Sequence, residues 1–177
     1  VSNTTQAQYQ KYLDKADEYY RVGNYGKANK TIGKMKKKVT KKLGARNSFL
    51  AIALVKEAKI NLELGLLTNV DDPLQKAVDM SYAVNDTLSA EHGFMMKEAS
   101  EVMIQYGNFR KAQMYLDRAI GSFIASSNYI DDLKAELEVM KAQILVGKGY
   151  NQQAINLVDD QIDFYLQRTL TGGNKDE

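Results

Sequence analysis

The chain has no cysteine, no tryptophan, one proline and one histidine among 177 residues. Without cysteine there is no disulfide, no thiol nucleophile and no thiolate metal site, and the redox compartment stays open. One histidine excludes any site that needs two imidazoles. Long apolar runs are also missing. The longest, Phe49 to Val55, is seven residues and is followed by Lys56, Glu57, Lys59 and Glu63, so no transmembrane span fits. The opening Val1-Ser2-Asn3-Thr4-Thr5 is neither a signal peptide nor an initiator methionine, and reads as part of something longer. What is present is a globular balance, 44% hydrophobic and 26% charged, enough for one domain with one sizeable core. The expectation is a soluble chain without a targeting segment, whose compartment is not legible.

A period runs through it. Glycines stand at Gly23, Gly65, Gly107 and Gly149, at intervals of 42 residues. Seven residues before them stand Ala16, Ala58, Ser100 and Ala142, and three before them Tyr20, Leu62, Ile104 and Val146. Nine after come Ile32, Leu74, Leu116 and Val158; twelve after come Met35, Ala77, Ala119 and, out of pattern, Gln161. Columns matched in size and polarity at one spacing mark an internal repeat. Within a unit the spacing is helical: Ala28, Ile32, Met35, Val39 and Leu43 recur every three or four residues and make one apolar stripe. Each glycine interrupts that pattern as a helix C-terminal residue does, because it reaches left-handed dihedrals without steric cost. The unit therefore reads as helix A, a tight turn, then helix B. In the second unit Asp72-Pro73 marks a later start for helix B, with Asp72 as cap and Pro73 at the first helical position.

Gly23-Asn24-Tyr25-Gly26-Lys27-Ala28 and Gly107-Asn108-Phe109-Arg110-Lys111-Ala112 resemble the turn of a tetratricopeptide repeat. Unit four matches less well, with Tyr150 one residue after its glycine, and unit two departs most, with Leu67 and Val70 in the aromatic and alanine columns. The period exceeds the family's usual 34 by about two helical turns, which implies longer helices. The resemblance implies an all-α fold, an α-solenoid of four helix-turn-helix repeats in a right-handed superhelix. The repeat domain spans 5–170, with units of about 5–46, 47–88, 89–128 and 129–170 and a polar tail at 171–177. The rival architecture is an antiparallel helical bundle. The resemblance further implies a protein-protein interaction scaffold that binds a peptide or protein along a concave groove lined by the A helices. The groove residues are then Asp17, Tyr20, Lys59, Leu62, Glu101, Ile104, Gln143 and Val146, with Leu13, Val55, Lys97 and Val139 adding to its floor. Leu13 and Asp17 occupy the places of the family's carboxylate clamp, so no acidic C-terminal motif is required of the partner. The same residues also fit simple mutual contact inside a tight superhelix.

Little points to catalysis. Gly147-Lys148-Gly149-Tyr150 lacks phosphate-loop spacing. His92 is the one usual general base, and beside Glu91 at a helix start it is expected to be partly exposed. The pairs Asp71-Asp72 and Asp131-Asp132 suit helix N-termini, and Asp159-Asp160-Asp163 lacks calcium-loop spacing and reads as a solvated face. The expectation is no enzyme, no catalytic residue, no cofactor, no metal and no small-molecule substrate.

Charge is uneven. Nine of the 24 basic residues lie between Lys27 and Arg46, where no acid stands. On a helix Lys27, Lys30, Lys34, Lys37, Lys38 and Lys41 share an arc roughly 100° wide. Such a cluster is a solvated face or an anion-binding helix for an acidic protein, membrane headgroups or nucleic acid. The lack of aromatics within the run argues against nucleic acid. At the other end, Ala154, Ile155, Leu157, Val158, Ile162, Phe164, Tyr165 and Leu166 spread over roughly 200° of helix, too wide for a terminal helix with a wet back. Ile155, Ile162 and Phe164 therefore mark a surface covered by more of a longer protein, by a second copy in a homodimer, or by the partner.

Overall fold

The computed structural model describes the backbone of residues 3–172 and, within it, the side chains of 7–163, 166 and 167. Eight α-helices account for nearly all of it: α1 (Asn3–Arg21), α2 (Tyr25–Leu43), α3 (Ser48–Glu63), α4 (Asp71–Val84), α5 (Ala90–Tyr106), α6 (Phe109–Ala125), α7 (Asp131–Gly147) and α8 (Asn151–Gly172). No strand occurs among the described residues. Among the described residues no helix is long and apolar enough to cross a membrane.

The four spaced glycines end the odd-numbered helices or their last turns, each with φ between +70° and +84°. The chain closes each turn with the same two hydrogen bonds. Gly23 N donates to Tyr20 O and Asn24 N to Tyr19 O, and the pairs Gly65–Leu62 with Leu66–Asn61, Gly107–Ile104 with Asn108–Met103, and Gly149–Val146 with Tyr150–Leu145 repeat the arrangement. These bonds satisfy carbonyls that a helix end leaves open, and they need the left-handed residue. Asn24 and Asn108 then cap the next helix, accepting from Lys27 N at 3.3 Å and Lys111 N at 3.2 Å. The second pair differs: a 3-10 turn at Leu67–Asn69 delays α4 to Asp71. The late start agrees with the sequence, but its details do not. Val70 holds the cap position without a side-chain bond, and Asp72 and Pro73 are the second and third helical residues.

Helices meet closely where small residues face each other. Ala16, Ala58, Ser100 and Ala142 are buried, as are Ala28, Ala112 and Ala154 five residues after their glycines. In the third pair the contact is a hydrogen bond from Ser100 Oγ to Ala112 O at 2.8 Å. The stripe read in the first B helix is the one that is buried: Ala28, Ile32, Met35 and Val39 on α2. Contacts run between neighbours. Each odd helix packs on the even helix after it; α3, α5 and α7 also pack on both helices of the preceding pair. Phe49 of α3 meets Tyr9 of α1 with ring centroids 5.3 Å apart.

His92 corrects one expectation. It is 0% exposed, because α5 lies between α3, α4, α6 and α7 and buries Met95, Met96, Ala99, Val102 and Met103 around most of its circumference. Its Nδ1 lies 2.9 Å from Ser81 Oγ, which accepts from Asn85 Nδ2 at 3.0 Å. Its Nε2 is buried without a hydrogen-bond partner among the described residues.

Candidate protein-docking surface

The side chains three and six residues before the turn glycines fall into two groups. On α1, α3 and α5 they are half-buried and joined to each other. Lys56 Nζ pairs with Asp17 at 2.7 Å. Tyr20 Oη donates to Glu63 Oε1 at 2.7 Å, and Lys59 Nζ lies 5.8 Å from the Tyr20 ring centroid. Lys59 reaches Glu101 at 3.5 Å. Glu101 also accepts from Lys97 at 2.8 Å, and Lys97 pairs with Glu136 of α7 at 2.7 Å. The result is a polar ladder that crosses all four odd helices. Burial, the Glu63 hydrogen bond and the Glu63 charge push the Tyr20 phenol far above its ordinary value, so Tyr20 stays a neutral donor. At Lys97 burial favours the neutral amine, but hydrogen bonds to Glu101 and Glu136 outweigh it and the pKa rises.

Leu62 and Ile104 pack against the core from the edge of this ladder. Leu13 does not floor a groove: it is buried in the core, where Tyr9 and Ala16 flank it on α1. Val55 and Lys97 are likewise buried. Apart from Val55, apolar access comes from residues the pattern did not single out. Ile52, Val55, Phe94 and Met95 line a hollow of about 310 Å³ between α3 and α5, edged by Lys56, Glu91 and Glu98. Phe94 is half-exposed and rests edge-on against Phe123 at 4.9 Å. Ile52 and Phe94 stand thirteen residues before their glycines, where Gln10 and Glu136 stand in the outer pairs. Such a mixed column gives no repeat signal.

Gln143 and Val146 belong elsewhere. Both are exposed and line a hollow of about 680 Å³ with Val139, Ile155, Val158 and Asp159, between α7 and α8. Ile155 and Ile162 are about half-exposed on the same side. The Phe164 side chain lies outside the described residues.

On α2, Lys27, Lys30, Lys34, Lys37, Lys38 and Lys41 are all exposed. Lys36, outside that arc, pairs with Glu57. Lys27 lies over the Tyr19 ring at 5.7 Å and Lys38 over the Tyr12 ring at 5.1 Å, so α1 brings aromatics to a run that has none of its own. No cluster of three metal-ligating side chains forms among the described residues. Compared with family models and with curated proteins, the chain matches none.

Proposed function

We propose that the chain is a non-catalytic protein-interaction scaffold. In this reading it is an α-solenoid of four tetratricopeptide-like helix pairs, wound as a right-handed superhelix. It holds a peptide or protein segment along the face carried by α1, α3, α5 and α7. The observation that carries the reading is the set of accessible apolar side chains on that face, Ile52, Phe94, Leu62 and Ile104, beside a ladder of charges that already satisfy one another. Paired charges offer a partner little, so the gain on binding comes from covering apolar area, at about 25 cal/mol per Å² before association costs. A partner identified by affinity capture and mass spectrometry provides the test. Phe94→Asp and Ile52→Asp should each weaken its binding about tenfold, with the far-ultraviolet helix signal intact and little salt dependence. Unchanged affinity would move the site off this face.

A second reading places an anion-binding site on α2. It is favoured by Lys30, Lys34, Lys37 and Lys41, which are exposed and have no ion pair among the described residues. Charge reversal at these four should weaken capture and flatten its salt dependence. If reversal merely raises stability, the run is a solvated face.

A further inference from the structure

The second helix has one dry side and one that is wholly basic. Ala28, Ile32, Met35 and Val39 are buried. On the far side, an arc roughly 100° wide holds Lys27, Lys30, Lys34, Lys37, Lys38 and Lys41 and no other residue of α2. All six are exposed, and none has an ion pair among the described residues. Lys36, off the arc, is the lysine of α2 that meets an acid there, Glu57 of α3.

The first helix extends this surface. Lys38 Nζ lies 5.1 Å from the Tyr12 ring centroid. Tyr19 has two ammonium groups near its ring, Lys15 at 5.8 Å and Lys27 at 5.7 Å. Both rings are half-buried. Asp14 and Glu18, the exposed acids of α1, lie at least about 100° round the helix from these tyrosines. The wider charge pattern is equally lopsided. Residues 27–46 hold nine of the 24 basic residues and no acid, which leaves 15 against 22 acids elsewhere. An anionic plane therefore attracts this face and repels the rest of the molecule, so it selects one orientation.

The occupant follows from what the arc lacks. A polypeptide segment, of this chain or of another, gains most by covering apolar side chains, and the arc has none. Exposed ion pairs alone contribute little each. A nucleic acid is held by bases stacked on aromatic faces or by side chains that read base edges. Here the tyrosines have ammonium groups beside them, and the arc offers lysine alone. A bilayer needs neither device. It presents many anions in one plane, and each lysine close to it strengthens binding by about fivefold. Tyrosine, with an apolar body and a polar tip, suits the headgroup level.

We infer that α2 docks on the headgroup plane of an acidic phospholipid bilayer, lying parallel to it with Tyr12 and Tyr19 along one edge of the contact. This rests on the second reading above, the anion-binding α2, and names its partner. Ile52 and Phe94 belong to α3 and α5, so docking leaves the ladder face free.

The test is co-sedimentation of the full chain with phosphatidylcholine vesicles, made with or without phosphatidylserine. The acidic vesicles should bind at least tenfold more protein, and high salt should release it. Lys34→Glu with Lys37→Glu and Lys41→Glu should reduce binding at least tenfold with the helix signal unchanged, because the reversals relieve like-charge repulsion within α2. Phe94→Asp should leave binding intact. Inorganic phosphate at the same charge concentration should not displace the protein, since a plane of charge and not a single phosphate holds it. A single-stranded oligonucleotide and polyglutamate are titrated in parallel. The inference is overturned if acidic vesicles bind no better than neutral ones, if inorganic phosphate displaces the protein, or if either soluble polyanion binds more tightly than the vesicles. In that last case the anion-binding reading of α2 stands and the lipid assignment alone fails. If neither vesicles nor polyanions bind, both fail.

Discussion

The ring of Phe109, at the start of α6, occupies the space that a side chain on Gly147 of α7 would need. One helix pair thereby seats its turn aromatic on the bare backbone of the next. The equivalent partner of Tyr25 is Glu63, whose charge, after burial, helps raise the Tyr25 pKa. The same repeat position thus carries a charged side chain in the second unit and bare backbone in the fourth.

Gly147→Ala should therefore destabilise the protein, although alanine in a helix ordinarily gains about 0.5–1 kcal/mol over glycine. Overpacking costs about 1–3 kcal/mol and outweighs that gain. Urea unfolding gives the sign, and Phe109→Ala in the same chain should recover part of the loss. A raised midpoint for Gly147→Ala alone would mean that the ring moves aside.

Leu116→Ala and Val158→Ala compare one column inside and at the open end. Leu116 is 0% exposed, so its truncation should cost about 2–5 kcal/mol. Val158 is partly solvated, and its truncation should cost well under half as much. Equal losses in thermal or urea unfolding would contradict the difference in burial between the two positions.

Stability should fall in mild acid through His92. Burial, then the nearby Arg118 charge, hold its pKa below the ordinary 6.5. Below pH 6.5 the unfolded chain takes up a proton that the folded chain refuses. Folding free energy is then lost at up to about 1.4 kcal/mol per pH unit, until the folded-state pKa is reached. Above pH 6.5 this contribution is fully present. His92→Leu should flatten that part of the pH–stability curve relative to the parent, and parallel curves would show that His92 is free to charge.

Lys97 bridges Glu101 and Glu136 from a buried position. Lys97→Met should cost about 1–3 kcal/mol, less than a fully buried pair, because Glu136 is half-exposed and rehydrates. Adding Glu101→Gln should recover part of the loss, since it removes an acid left with only the longer contact to Lys59. A double-mutant cycle with no coupling would remove Lys97 from the ladder.

How far the sequence reaches depends on how many sides of a helix are wet. On α2 one side is dry, so Ala28, Ile32, Met35 and Val39 stand out by spacing alone. The turns were legible for a similar reason: a left-handed residue is needed at one place in each pair, and glycine fills it four times. The spacing of α5 misleads, because it is dry on nearly all sides and its polar members, His92, Lys97 and Ser100, find partners inside rather than water. Ion pairs between helices, such as Lys97–Glu136, join residues 39 apart that no local pattern links. The apolar access at Ile52 and Phe94 falls in a column that changes character from pair to pair, so the 42-residue spacing gave no sign of this surface.

The neighbour-only packing has a kinetic consequence. Almost every contact closes a loop no longer than about one repeat, which keeps contact order low and favours rapid folding. The middle of the array is held from both sides, and α8 from one. Amide exchange should accordingly be slowest in α5 and fastest in α8, and unfolding should begin as a loss of helix from the C-terminal end rather than as a single collapse.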